Sequence, residues 1–301
     1  MIMQTKQMIQ QKRKIIVSCE NLKFGYSSKQ PILNGISLNL YQGESTVLFG
    51  KSGSGKTTLL RCISGYSKLD SGKLIVNNLL ETEDLRVLPS ANENSQYAHK
   101  IAQFWKQMQT QKRTKWSWWD YLFRGTRSLN GYMVFADGSN ALPQLTVEEN
   151  LYLVLATICY DPELRRKTTK LLLKLTGLTE VSQHKPSALS SGQLRRLCLA
   201  QGLGINPGLL ILDEPTNGLD FSTKGSFLAF LGFLRQTVGI TVLSVTHDLE
   251  AALFLADRLL LFRDGQIVKE IFVDKPHPRK LQDIDTPEYT SLRRILTDFL
   301  Q

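Results

Sequence analysis

Gly50, Lys51, Ser52, Gly53, Ser54, Gly55, Lys56 and Thr57 follow one another in the spacing GxxxxGK[ST]. In such a loop glycines let backbone N–H groups curl around phosphate oxygens without Cβ clashes, and a helix opening at its end turns its positive dipole toward the anion. Lys56 then reaches the outer phosphates, Thr57 offers a hydroxyl to Mg2+, and Thr58 lies beside them. The chemistry implied is binding of a nucleoside triphosphate, ATP, with Mg2+. Asp213 and Glu214 close a separate apolar run that begins at Leu209. A strand's carboxyl end is where α/β sheets bind ligands. There Asp213 fits the aspartate that organises Mg2+, and Glu214 is placed to orient or deprotonate an attacking water. His247 ends another apolar run, from Ile240; on its own it reads equally as a functional group or as an ordinary surface or core histidine.

These residues need elements to hold them. A short β-like run begins at Ile15, and the stretch from Ile32 alternates apolar and polar residues before an apolar strand ends at Gly50. From Thr57, TTLLRCISG has helical apolar spacing. The runs at Leu209 and Ile240 are continuously apolar, as in parallel strands covered on both faces, and helical stretches separate them. The order is that of a βαβ-type α/β domain.

The 301 residues, 42% hydrophobic, suffice for one large α/β domain or two small ones. The longest apolar stretches, such as Ala229–Leu234, fall short of the roughly 18 residues a membrane-spanning helix needs. The opening MIMQTKQMIQQKRK is polar and basic with no apolar segment after it, unlike a secretory signal, so a cytoplasmic chain is expected. Cys19, Cys62, Cys159 and Cys198 show no metal-ligand or CxxC spacing and are expected as buried, reduced thiols. The net charge of +10 is compatible with a nucleic-acid or anionic-membrane partner or with a solvated surface.

With these residues in hand, the chain resembles the ABC ATPases over nearly its whole length. Leu189, Ser190, Ser191, Gly192 and Gln193 look like the LSGGQ signature, with Ser191 at its first glycine; Asn217, Gly218, Leu219 and Asp220 look like the D-loop; His247 matches the switch histidine. Tyr26 sits where the family's adenine-stacking aromatic precedes the phosphate loop, with Phe24 a competing choice. The resemblance implies a P-loop NTPase fold of the ABC ATPase type: a mainly parallel sheet core, an N-terminal antiparallel β subdomain and a helical subdomain. It also implies two ATPs in a head-to-tail dimer, homomeric or with another ABC ATPase, the signature of one protomer covering ATP on the other. Transmembrane permease subunits would be driven from the cytoplasmic side of the membrane. Residues 1–14 are expected as a basic tail, 15–273 as the ATP-binding domain with its helical subdomain at about 136–205, and 274–301 as a C-terminal helical extension.

Three features depart from the common pattern or narrow it. Ala136, in VFADGSNALPQLTVEEN, stands where the family has a glutamine; alanine cannot hold Mg2+ or water, Asp137 is the nearest substitute, and Gln144 is too distant. Residues 80–130 read as a long insert containing Trp105, Trp116, Trp118 and Trp119. From Lys100 to Arg127 it has seven Lys/Arg against one acid, Asp120, and would pack on its own domain, dock on a membrane or partner subunit, or bind nucleic acid. The segment from Pro276 resembles the tail of nitrate, sulfonate and taurine importer ATPases, and Leu292, Ile295, Leu296, Phe299 and Leu300 fit one face of a helix. That family resemblance implies import of a small solute, such as an anion, with an external solute-binding protein in the complex. The alternatives are a soluble ABC ATPase acting on nucleic acid, disfavoured because neither a second cassette nor a long coiled coil is present, and a regulatory subunit with impaired hydrolysis.

Overall fold

Strand β3 (Ser45–Phe49) is buried at all five residues, and so is β6 (Leu209–Asp213). Both are central strands of a six-stranded sheet in the order β5-β6-β7-β3-β8-β9, where β5 is Gly131–Val134, β7 Thr241–Thr246, β8 Arg258–Arg263 and β9 Gln266–Phe272. Every pairing is parallel except β8 with β9, an antiparallel hairpin turned by Asp264 and Gly265. The computed structural model describes residues 14–26, 31–76, 95–110, 131–205, 208–275, 279, 284 and 286–301.

Alternation along the strands divides the core in two. Val47, Phe49, Leu210, Leu212, Val242, Leu259 and Leu261 face a helical layer, whereas Leu48, Leu209, Ile211, Leu243, Val245, Leu260 and Phe262 face the other way. The second face is covered by α1 (Lys56–Ile63) and by a three-stranded antiparallel sheet, β2-β1-β4, formed by Leu33–Tyr41, Ile15–Phe24 and Ser71–Val76. Glu44 and Arg258 form a buried ion pair between these layers, with Thr46 donating to Glu44 and Arg258 also reaching Glu270 and the Asn39 carbonyl. The mainly parallel core, antiparallel subdomain and helical layer agree with the expected architecture.

The helical layer contains α2 (Ser95–Thr110), α3 (Val147–Ala156), α4 (Pro162–Thr176), α5 (Ser191–Gly204), α6 (Phe221–Val238) and α7 (Leu249–Leu255). Helix α2 falls inside the stretch read as an insert, yet it is core. Ile101, Phe104 and Trp105 are buried, and the Trp105 indole N–H donates to the Leu203 carbonyl at 2.8 Å. For this tryptophan the packing alternative holds; Trp116, Trp118 and Trp119 lie outside the described residues, as does the tail up to residue 13. The helical layer thus starts before residue 136. All four cysteines are buried and free, and burial pushes the Cys19, Cys62 and Cys198 thiols up to about 12.

The C-terminal extension packs on the domain through α8 (Pro287–Leu300), whose Leu296 is fully buried with Leu292, Ile295, Phe299 and Leu300 around it. Arg279, itself buried, anchors the segment by donating to the carbonyls of Leu253, Phe254, Ala256 and Lys275. No helix among the described residues is long and apolar enough to cross a membrane.

Candidate functional site

Parallel register brings the working residues together. Phe49 at the end of β3 is level with Thr246 on β7, and Asp213 at the end of β6 is level with Val245. The loop after β3, the Asp213–Glu214 pair and His247 therefore emerge along one carboxyl edge.

The phosphate loop leaves β3 at Gly50, where an added Cβ would lie 2.2 Å from the Phe262 carbonyl oxygen, so only glycine fits. It enters α1 through Gly55, whose φ of 103° is left-handed. Lys51, Ser52 and Gly53 are exposed. The Lys56 ammonium is buried and donates to the carbonyls of Gly50 and Lys51, both at 2.8 Å, which bends the side chain back over the loop. Burial lowers its pKa, opposed by the charges of Glu214 and Asp213. Thr58 is buried, leaving its backbone N–H in the first helical turn as its contribution. Lys51 turns outward and donates to the Gln301 carbonyl at 2.8 Å, while Arg263 donates to Phe299 and lies over its ring, so the end of α8 rests beside the loop.

The Thr57 hydroxyl donates to Asp213 Oδ1 at 2.9 Å. Burial raises the Asp213 pKa, the Thr57 hydrogen bond opposes the rise, and the Glu214 charge adds to it. A buried carboxylate and a hydroxyl, both hard oxygen donors, beside a phosphate cradle suit Mg2+, which takes one or two protein oxygens together with phosphate and water. No cluster of three or more His, Cys, Asp or Glu able to hold a metal by itself occurs among the described residues, and a site shared with phosphate needs none.

Among the described residues, Glu214 is one of three non-glycine residues with positive φ, at 46°. This conformation costs about 1 kcal/mol and persists where surroundings over-determine it. Its N–H donates to Val245, its carbonyl accepts from Asn217 N–H, and its Oε1 lies 3.0 Å from His247 Nδ1. The loops that carry Glu214 and His247 are tied through Asp248, which accepts from Thr216 at 3.2 Å and pairs with Lys224 at 2.6 Å. Sequence reasoning passed over Thr216, Lys224, Asp248 and Arg195; the place of Asp248 directly after His247, capping α7, was the available signal.

The signature residues are organised differently. Ser190 caps α5 in a capping box: its hydroxyl accepts from Gln193 N–H while Gln193 Oε1 accepts from Ser190 N–H. Gly192 lies so near α6 that a Cβ would meet Thr223 at 2.4 Å. Asp220 caps α6 and accepts from Thr223 N–H at 3.0 Å, which lowers its pKa. These bonds stay within the two helix starts and do not join the signature to the phosphate loop.

Of the two aromatics left open in the sequence, Phe24 is buried in the core, whereas Tyr26 is 65% exposed and meets the Phe24 ring edge-on at 5.1 Å. Around Ala136 two amides hold the loop: half-buried Asn140 accepts from Phe135 N–H, and buried Asn150 binds the backbone of Leu142, Leu145 and Thr146. Asp137 is exposed and accepts from Ser139 N–H, so its carboxylate turns back on its own turn.

Residues 33–217 match the family model described as ABC transporter. The chain is 32% identical over 275 residues to the nitrate import ATP-binding protein NrtC of Synechococcus elongatus, covering 89% of this chain and 35% of that one. It is 32% identical to the methionine import ATP-binding protein MetN of Rhizobium johnstonii, covering 79% and 56%, and 31% identical to the bicarbonate transport ATP-binding protein CmpD of Synechococcus elongatus, covering 89% and 83%. The chain thus spans about a third of the first of these relatives and just over half of the second. Among solved structures, the dimeric ATP-binding cassette MJ0796 bound to ADP and Pi in a post-hydrolysis state superposes with a TM-score of 0.63 at 27% identity, over 87% of this chain and all of that one. CbiO1 from Clostridium perfringens, at 22% identity, shares the fold with a TM-score of 0.65 over 94% and 99%. A matching family model over most of the chain and relatives above 30% identity place it without ambiguity: it belongs to the ABC transporter family.

Proposed function

We propose that the chain binds and hydrolyses ATP to power import of a small solute, such as an anion of the nitrate or bicarbonate kind, through partner permease subunits at the cytoplasmic face of a membrane. The observation that carries the hydrolytic part is the pairing of Thr57 with Asp213 and of Glu214 with His247 along one sheet edge beside the Gly50–Thr57 loop. Support for the solute class comes from relatives named for nitrate and bicarbonate transport, each aligned over 89% of this chain. The methionine import relative keeps the solute open.

The loop's N–H groups and Lys56 hold the phosphates, and Tyr26 offers a ring to adenine. Thr57 and Asp213 would hold Mg2+, which would supply charge neutralisation at the phosphates. Glu214 accepts a proton from water as its oxygen attacks the γ-phosphorus; the bond to the β–γ bridging oxygen breaks and ADP leaves with the electron pair. His247 holds the Glu214 carboxylate toward that water. Ser190, Ser191, Gly192, Gln193 and Asp220 complete the site of a second copy or a related cassette in a head-to-tail dimer, and an external solute-binding protein would deliver cargo.

A regulatory subunit with impaired hydrolysis is the second reading, and Ala136 favours it. Phosphate release from magnesium-ATP by the purified chain, with Ala136→Gln beside it, separates the two. Turnover by the unaltered chain, raised severalfold by the glutamine, is expected; no turnover in either overturns the hydrolytic reading. Copurification of permease and solute-binding proteins identifies the transport partners.

A further inference from the structure

Arg195 is a cation enclosed by protein, only 7% exposed, five residues beyond Ser190 on α5. Burial lowers its pKa, so its charge is held against a desolvation cost that some arrangement must offset. Its fork is directed at one turn: Nη1 donates to the Glu214 carbonyl at 3.3 Å, and Nη2 donates to the Asn217 carbonyl. The same turn carries the left-handed Glu214, fixed from the sheet side by Val245 and internally by Asn217 N–H. From the helical layer Arg195 adds a second hold, beside the bond from Thr216 to Asp248. Asp137, next to Ala136, is an electrostatic neighbour of the same guanidinium. Because Gly192 is pressed against Thr223, the start of α5 cannot shift without displacing α6 or the turn it grips.

We propose that Arg195 is a positioning residue: by holding the carbonyls of Glu214 and Asn217 it sets the Glu214 carboxylate for attack on ATP and ties that setting to the signature helix of its own chain. This inference rests on the hydrolytic role proposed for Glu214. A planar fork that reaches two carbonyls is not replaced by a lysine, whose ammonium is a point donor.

The test compares the unaltered chain with Arg195→Met, Arg195→Lys and Glu214→Gln, reading kcat and KM for magnesium-ATP, affinity for a fluorescent ATP analogue, melting temperature, and amide hydrogen exchange without nucleotide. Misplacement of a reacting group by about 1 Å costs up to about a hundredfold. Arg195→Met is therefore expected to lower kcat about ten- to hundredfold, with KM and analogue affinity within about twofold, and Arg195→Lys to fall between. Exchange at Asn217 is expected to rise while Leu210–Leu212 on β6 stays protected. A kcat within twofold of the unaltered chain, a parallel loss of affinity and melting temperature, or unchanged exchange at Asn217 would each overturn the proposal. Should Glu214→Gln keep full turnover, the role assigned to Glu214 fails instead, and the exchange measurement alone still decides whether Arg195 holds the turn.

Discussion

At the carboxyl edge of the parallel sheet, polar side chains reach across from different strands; at the start of α5 they fold back on their own helix. Thr57 meets Asp213 across 156 residues of sequence and Glu214 meets His247 across 33, whereas Ser190 and Gln193 satisfy each other within one turn. The edge is an assembled half-site whose geometry depends on sheet register. The signature is a preformed cap in which Ser190 and Gln193 satisfy each other, and the nucleotide role proposed for it requires a second surface to meet.

The sharpest way to break this contrast is to disarm each region singly. Glu214→Gln keeps the size of the side chain but removes the base; turnover should fall about 10²- to 10³-fold with ATP still bound, as phosphate release and analogue titration would show. Retained turnover would mean that the edge is not the reacting half. Ser190→Ala should cost about 1 kcal/mol through loss of the cap and abolish ATP-dependent dimer formation, while the single chain's ATP affinity stays unchanged; sedimentation with and without ATP reads both. A loss of affinity in the monomer would erase the distinction between the two regions.

The smallest effect concerns electrostatic cost, which the edge carries and the cap does not. Burial raises the Asp213 pKa in the folded chain above its unfolded value. The folded state therefore binds the proton more tightly, and the cost is absent where both states are protonated and fully present above the folded pKa. Without Mg2+ or nucleotide, Asp213→Asn should raise the melting temperature by about 1–3 °C near neutral pH, and the gain should vanish as pH falls below about 4. A calorimetric series over pH checks the sign.

Much of the edge was legible because its parts are local: the phosphate loop is eight adjacent residues, and β6 and β7 are continuous apolar runs ending in the groups of interest. The face of α8 was readable from helical spacing for the same reason. Helix α2 was not. Its polar sequence left packing on the domain, docking and nucleic-acid binding all open, and the burial of Trp105 depends on α4, α5 and α6 arriving from later sequence. Arg195 was hidden in the same way: in LRRL both arginines look solvated, and only the fold shows that one of them faces the Glu214 turn. The Glu214–His247 contact likewise requires the parallel register of β6 and β7.

Arg279 spreads its donors over the carbonyls that close α7 and over Lys275 just past β9. Peeling away the segment from Arg279 onward would strip those acceptors together and, with the final helix lifted, bare Leu296, so the tail and the last sheet strands should melt as one cooperative unit, protecting the tail from proteases for as long as the sheet survives.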